Sequence, residues 1–272
     1  MKHKLLVCVL MLLAASGAVA KDEPKDDGVK VGKASALRNL VPAEGLEKQA
    51  ALQYNQLKQE MGAKKALAPD DYPELLRLRA IAKRIIPYAS RFNPRAEKWQ
   101  WEVNLIGSNQ INAFCMPGGK IAFYTGILRQ LKLTDDEVAM VMGHEIAHAL
   151  REHAREQASK NALTKIGAVG LSIATGGKYD GLVQTGASLL SLKYSRSDET
   201  DADLVGLDIA ARAGYDPRAG ISLWKKMSAA SKGAPPQFMS THPSGPNRIK
   251  EIEAHLKEAL PLYERAEKPK PW

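Results

Sequence analysis

Between Pro73 and Tyr88 the apolar residues Leu75, Leu76, Leu78, Ile81, Ile85 and Ile86 recur with helical spacing and form one stripe, which predicts an amphipathic helix. A similar period predicts another helix over 44–65. The period then changes. From Lys98 to Leu105 every second residue is apolar, the mark of a half-buried strand. Gln110–Met116 and Lys120–Tyr124 read as two further strands, with Pro117-Gly118-Gly119 as the turn between them. Helical patterning resumes at Thr134, with segments near 134–158, 161–175, 181–193, 197–213, 217–230 and 246–259. The pattern predicts one α+β domain, mainly helical, with a small antiparallel sheet directly before the helix that starts at Thr134.

The ends read differently. Lys2 and Lys4 precede an apolar run from Leu5 to Ala15, and Ala18-Val19-Ala20 offers the small residues that a signal peptidase needs. Residues 1–20 are therefore expected to be a signal peptide cleaved after Ala20, and the mature chain to be exported to a bacterial periplasm. The apolar run is shorter than the ~20 residues that span a bilayer. Residues 21–43 are polar and Lys/Asp-rich, a flexible leader; 44–265 form the folded domain; 266–272 are a loose tail. The Ala/Gly/Leu-rich stretch from Asn161 to Leu192 is interrupted by Lys165, Lys178 and Asp180, so it reads as packed helices and not as a span.

Cleavage removes Cys8 and leaves Cys115 alone, which excludes an internal disulfide. It also removes two lysines from a chain of formal net charge +9. The remaining excess is compatible with peripheral contact with a membrane surface or with outer-membrane assembly proteins. Its lysines are scattered and no basic block carries interleaved aromatics, so nucleic acid is excluded as a partner.

The chemistry is concentrated in His144-Glu145-Ile146-Ala147-His148. Two histidines four apart share one helix face and can bind one divalent ion, while Glu145 can reach a water on that ion, as in zinc peptidases. Thr134 followed by Glu137 reads as a capping box that starts this helix about three turns before the motif. A catalytic zinc usually takes a third protein ligand. His153 is a poor third ligand, because five residues past His148 it is turned about 140° away on the helix, and Glu152 sits a turn too far from His144 to share an ion with it. The acidic segment from Ser195 to Asp203 is the better source: Glu199 and Asp203 are four apart on a predicted helix beside Ala202 and Gly206. One of the two can bind the ion while the other holds a ligand histidine through its second nitrogen.

Four elements in the same order resemble a known family. They are the H-E-x-x-H helix, the E-x-x-x-D pair at Glu199 and Asp203, the Asn112-Ala113-Phe114 strand leading to Pro117-Gly118-Gly119, and Ser240-Thr241-His242-Pro243 with Arg248. Together, over roughly Pro73 to Leu260, they resemble the gluzincin metallopeptidases that include HtpX, the CAAX prenyl endopeptidases, the mitochondrial Oma-type proteases and the periplasmic BepA-type proteases. The chain is expected to lack the membrane spans of the first two and the tetratricopeptide extension of the last.

The resemblance implies one zinc ion per chain held by His144, His148 and Glu199, with Asp203 orienting a ligand and Glu145 as the general base that activates a zinc-bound water. It implies that Asn112, Ala113 and Phe114 pair with an extended substrate backbone, and that Arg248 supports the site. His242 is implied to lie near the zinc, either plugging its open position or stabilising the oxyanion; the residues alone also allow a structural hydrogen bond in a Pro-rich loop. The function implied is a periplasmic zinc endopeptidase acting on misfolded or stalled envelope proteins. The alternative is a polypeptide-binding chaperone or holdase that cleaves little.

Overall fold

The computed structural model describes residues 27–174, 189, 192–231, 236–242, 247–270 and 272. The signal segment and nearly all of the helix expected over 181–193 lie outside the described residues. Helices α1 (Ala43–Ala63) and α2 (Pro73–Ile85) form where the apolar stripes predict them. Pro73 opens α2, where no amide donor is needed. The stripe on α2 is narrower than the sequence suggests: Leu75, Leu78, Ile81, Ala82 and Ile85 are buried, whereas Leu76 is 39% exposed. Ile86 starts a short 3-10 segment, Ile86–Arg91, because Pro87 lacks the amide that would continue the α-helical ladder.

Strands β1 (Glu102–Ile106), β2 (Ala113–Met116) and β3 (Lys120–Tyr124) form one sheet in the order β1-β3-β2. β2 and β3 make the expected hairpin, whose turn uses Gly118 and Gly119 at φ +82° and +79°, a region open to glycine. The sheet is mixed and not antiparallel, because β1 runs parallel to β3. After β1 the chain crosses the end of the sheet, descends as β2 at the far edge, and returns as β3 in the gap between them. β1 is also buried on both faces from Val103 to Ile106, not half-buried. Helix α1 covers the second face, where the Asn104 amide donates to Tyr54 Oη at 3.0 Å.

A short helix α3 (Thr125–Gln130), not apparent in the pattern, leads to α4 (Asp135–Leu150). The capping box is formed: Glu137 N–H donates to Thr134 Oγ1 at 3.3 Å and Thr134 N–H to Glu137 Oε2 at 2.9 Å. Every residue from Glu137 to Leu150 is buried, so α4 is the central helix. It packs against β2, α2, α6 (Arg196–Arg212) and α7 (Ala219–Ala230). A small helix α8 (Gln237–Thr241) and a long α9 (Arg248–Arg265) follow.

One expectation is corrected here. The helix expected over 134–158 stops at Leu150; Glu152 adopts φ +59°, and a new helix α5 (His153–Ala174) starts there. Within the segment expected as a leader over 21–43, Val29 is 5% exposed and its N–H donates to the buried Asp208 carboxylate at 2.9 Å. A buried carboxylate needs such donors, and the segment supplies one. Among the described residues no helix is long and apolar enough to cross a membrane.

Candidate metal centre

Helix α4 places the His144 and His148 imidazoles on one face with their Nε2 atoms 3.1 Å apart. Helix α6, started by a Ser195–Asp198 capping box, brings Glu199 against them. Its Oε1 lies 3.5 Å from His148 Nε2 and its Oε2 3.6 Å from His144 Nε2. The C-terminal end of α8 supplies a fourth group, His242, whose Nδ1 is 3.0 Å from Glu199 Oε1 and 3.3 Å from His144 Nε2. A tetrahedral zinc with bonds of about 2.0–2.1 Å needs ligands about 3.3–3.4 Å apart. The separations around this cluster scatter about that value, so the four donors fit one zinc ion.

The surroundings fit as well. His144 Nδ1–H donates to Asp203 Oδ1 at 3.0 Å, which leaves the Nε2 lone pair facing the cluster. Arg248, at the start of α9, donates to both oxygens of Asp203 at 2.6 Å and to Glu199 Oε2 at 2.5 Å, and its guanidinium stacks 3.5 Å over the Trp224 ring. Burial alone would raise the Asp203 carboxyl, but Arg248 outweighs it and holds the group down to about 2. Burial lowers His144, and burial together with neighbouring positive groups lowers His148 further; both effects favour the neutral ligand form. Burial also opposes protonation of His242, yet the carboxylates of Glu145 and Glu199 raise it.

Glu145 differs from the other carboxylates. Burial pushes it up to about 7. Its Oε1 has no hydrogen-bond partner among the described residues and lies 3.5 Å from His242 Nε2. His242 thus turns Nδ1 to the ligand atoms and Nε2 to Glu145.

The structure brings His144, Glu145, His148, Glu199, Asp203, His242 and Arg248 together. Asn112, Ala113 and Phe114 are outside the cluster, at the start of edge strand β2, with Phe114 packed on the Tyr54 and Tyr124 rings. The loop before them is tied to α8, where Phe238 N–H donates to the Ile111 carbonyl at 3.1 Å. Burial and the nearby Glu145 carboxylate push the Cys115 thiol well above its ordinary value, which favours the protonated thiol.

Sequence reasoning misplaced His153. The break at Glu152 turns it back, so that its Nδ1 is 2.9 Å from His148 Nδ1. Glu152 itself forms ion pairs with Arg155 and Arg38 away from the site. Two aromatic residues also went unnoticed: Tyr194 stacks on His148 at 4.0 Å and Phe238 on His242 at 4.5 Å between ring centroids. The positive φ at Glu152 has no sequence signal, since Glu is not a residue that favours it.

Two histidines and a glutamate from two packed helices, with a free glutamate beside them, define a gluzincin-type metal centre. Residues 75–256 match peptidase family M48, and the chain belongs to that family. It is 40% identical over 166 residues to the mitochondrial metalloendopeptidase OMA1 of Arabidopsis thaliana, a match that covers 60% of this chain and 33% of the relative. It is 34% identical over 212 residues to the mitochondrial metalloendopeptidase OMA1 of Schizosaccharomyces pombe, covering 76% and 59%. It is 25% identical over 197 residues to the beta-barrel assembly-enhancing protease of Escherichia coli O157:H7, covering 68% and 39%. The chain therefore spans less than two thirds of the length of each of these relatives.

Proposed function

We propose that this chain is a periplasmic zinc endopeptidase that hydrolyses peptide bonds in misfolded or stalled envelope proteins. The observation that carries the reading is the buried Glu145 carboxylate, with one oxygen unpartnered beside three converging ligand atoms. His144, His148 and Glu199 would hold a zinc ion, which would supply Lewis acidity and lower the pKa of water there to about 7. Glu145 takes the proton as water attacks the peptide carbonyl and returns it to the departing amine, a task its unpartnered Oε1 beside the ligand atoms suits. Asp203 keeps His144 in the tautomer that ligates. Arg248 gives both buried carboxylates, Glu199 and Asp203, a paired cation.

The edge strand β2 offers an extended backbone its pairing groups, which favours unfolded or locally opened polypeptides as substrates. His242 occupies the remaining corner of the cluster, the position that water and substrate need. The envelope location is supported by the basic and apolar start of the chain with Ala18-Val19-Ala20 and by likeness to the beta-barrel assembly-enhancing protease. Metal analysis of the purified chain, with casein cleavage before and after chelation, tests the chemistry. Zinc at one per chain and cleavage lost on chelation and regained with zinc are expected; zinc binding without cleavage would favour a holdase. Fractionation of the exported chain tests the compartment.

A further inference from the structure

We propose that His153 and Asp201 form a hydrogen-bonded relay that fixes His148 as a metal ligand, making His153 a positioning residue of the site. The inference rests on the zinc site proposed above. His148 Nδ1 and His153 Nδ1 are 2.9 Å apart, and His153 Nε2 lies 3.2 Å from Asp201 Oδ2. Arg151 donates to the same Asp201 oxygen and, through its other end, to the Gly32 carbonyl. His153 is 5% exposed and has no solvent to bond instead.

The proton inventory permits one arrangement in which His148 can ligate. An ionised Asp201 only accepts, so His153 carries its proton on Nε2. For His148 Nε2 to be bare, the His148 proton must sit on Nδ1 and be donated to His153 Nδ1, 2.9 Å away. The lone pair of His148 Nε2 is left facing Glu199 and His144, where the ion sits. This is the counterpart of what Asp203 does for His144 at 3.0 Å, extended by one imidazole.

The backbone supports a built function. A continuous helix would carry His153 about 140° away from His148. The chain instead holds a non-glycine residue, Glu152, at φ +59°, and only that corner turns His153 back. Tyr194 packs flat on the His148 ring but cannot set which nitrogen carries the proton. The relay does that.

The test is a Zn2+ titration of the metal-free full chain against a competing fluorescent chelator, with melting of the metal-free chain followed in parallel. His153→Ala should weaken zinc affinity by about 10- to 100-fold while the metal-free chain still melts cooperatively. His153→Gln, whose amide oxygen can accept from His148, should recover most of that loss. Asp201→Asn should weaken zinc in the wild-type background and have no further effect in His153→Ala, because Asp201 acts through His153.

Unchanged zinc affinity in His153→Ala, or an Asp201→Asn effect that persists in full without His153, overturns the proposal. Should His153→Ala not fold, His153→Gln and Asp201→Asn carry the test: near-normal affinity in the first with a loss in the second supports the relay, and any other pair of results rejects it. A wild-type chain that binds no zinc removes the metal site and the relay with it. Zinc binding without casein cleavage leaves the relay standing and removes only the peptidase reading.

Discussion

Gly143 and Gly206 meet face to face where α4 crosses α6: a Cβ built on Gly206 would lie 2.7 Å from His144 N and 2.8 Å from Gly143 C. The obstacles are backbone atoms, so no side chain can rotate away. Glycine at both positions lets the helix bearing His144 and His148 approach the helix bearing Glu199. Gly206→Ala should therefore push the helices apart, destabilise the fold by about 1–3 kcal/mol and weaken zinc binding. Calorimetry and metal analysis check this; wild-type melting with full zinc content would show that the contact has slack.

Glu145→Gln should keep one zinc per chain and normal melting, because the residue is not among the converging ligand atoms. Casein cleavage should fall by at least about 10²-fold, the loss expected when a general base is removed. Substantial residual activity would assign the base elsewhere.

His242→Ala should raise basal cleavage or autolysis. Its Nδ1 fills the fourth corner and its Nε2 faces Glu145, so the imidazole occupies the position that water needs. An oxyanion donor at this position would give the opposite sign, a kcat lower by about 10²–10³ at constant zinc content. Initial rates with equal zinc loading distinguish the two.

Acid should expose a stability term at the start of α4. Burial tends to raise the Glu137 carboxyl, but Lys226 at 2.6 Å, the Thr134 amide and Ser222 at 2.7 Å outweigh it and hold the group below its ordinary value. A depressed carboxylate stabilises the fold above its unfolded pKa of about 4.3, and this contribution disappears as pH falls through the lower folded value. Glu137→Gln should thus lower the melting temperature near neutral pH, and the gap to wild type should narrow below about pH 4. A gap that is constant with pH would mean that packing, not charge, is lost.

Sequence spacing located much of this site because its parts are local. The four-residue intervals His144–His148 and Glu199–Asp203 need only a helix, and the Thr134–Glu137 and Ser195–Asp198 boxes mark where those helices start. What spacing could not show depends on neighbours distant in the chain. Leu76 looks like a core residue until α2 is docked, and β1 looks half-buried until α1 covers its second face. The direction of β1 depends on which edge of the hairpin remained free. His153 was misjudged for a different reason: helical periodicity assumes that the helix continues, and the corner at Glu152 ends it.

Arg248 lies 49 residues beyond Glu199 and 45 beyond Asp203, on the last helix of the chain. Any chain that stops between residues 203 and 248 keeps both carboxylates and lacks the cation they share. Closing the site without α9 would bury the two side by side with no counter-charge, which is costly enough to hold the cluster open. A chain ended at residue 247 should therefore bind zinc poorly and leave casein intact, so the ligands carried by α4 and α6 depend on a helix that contributes none.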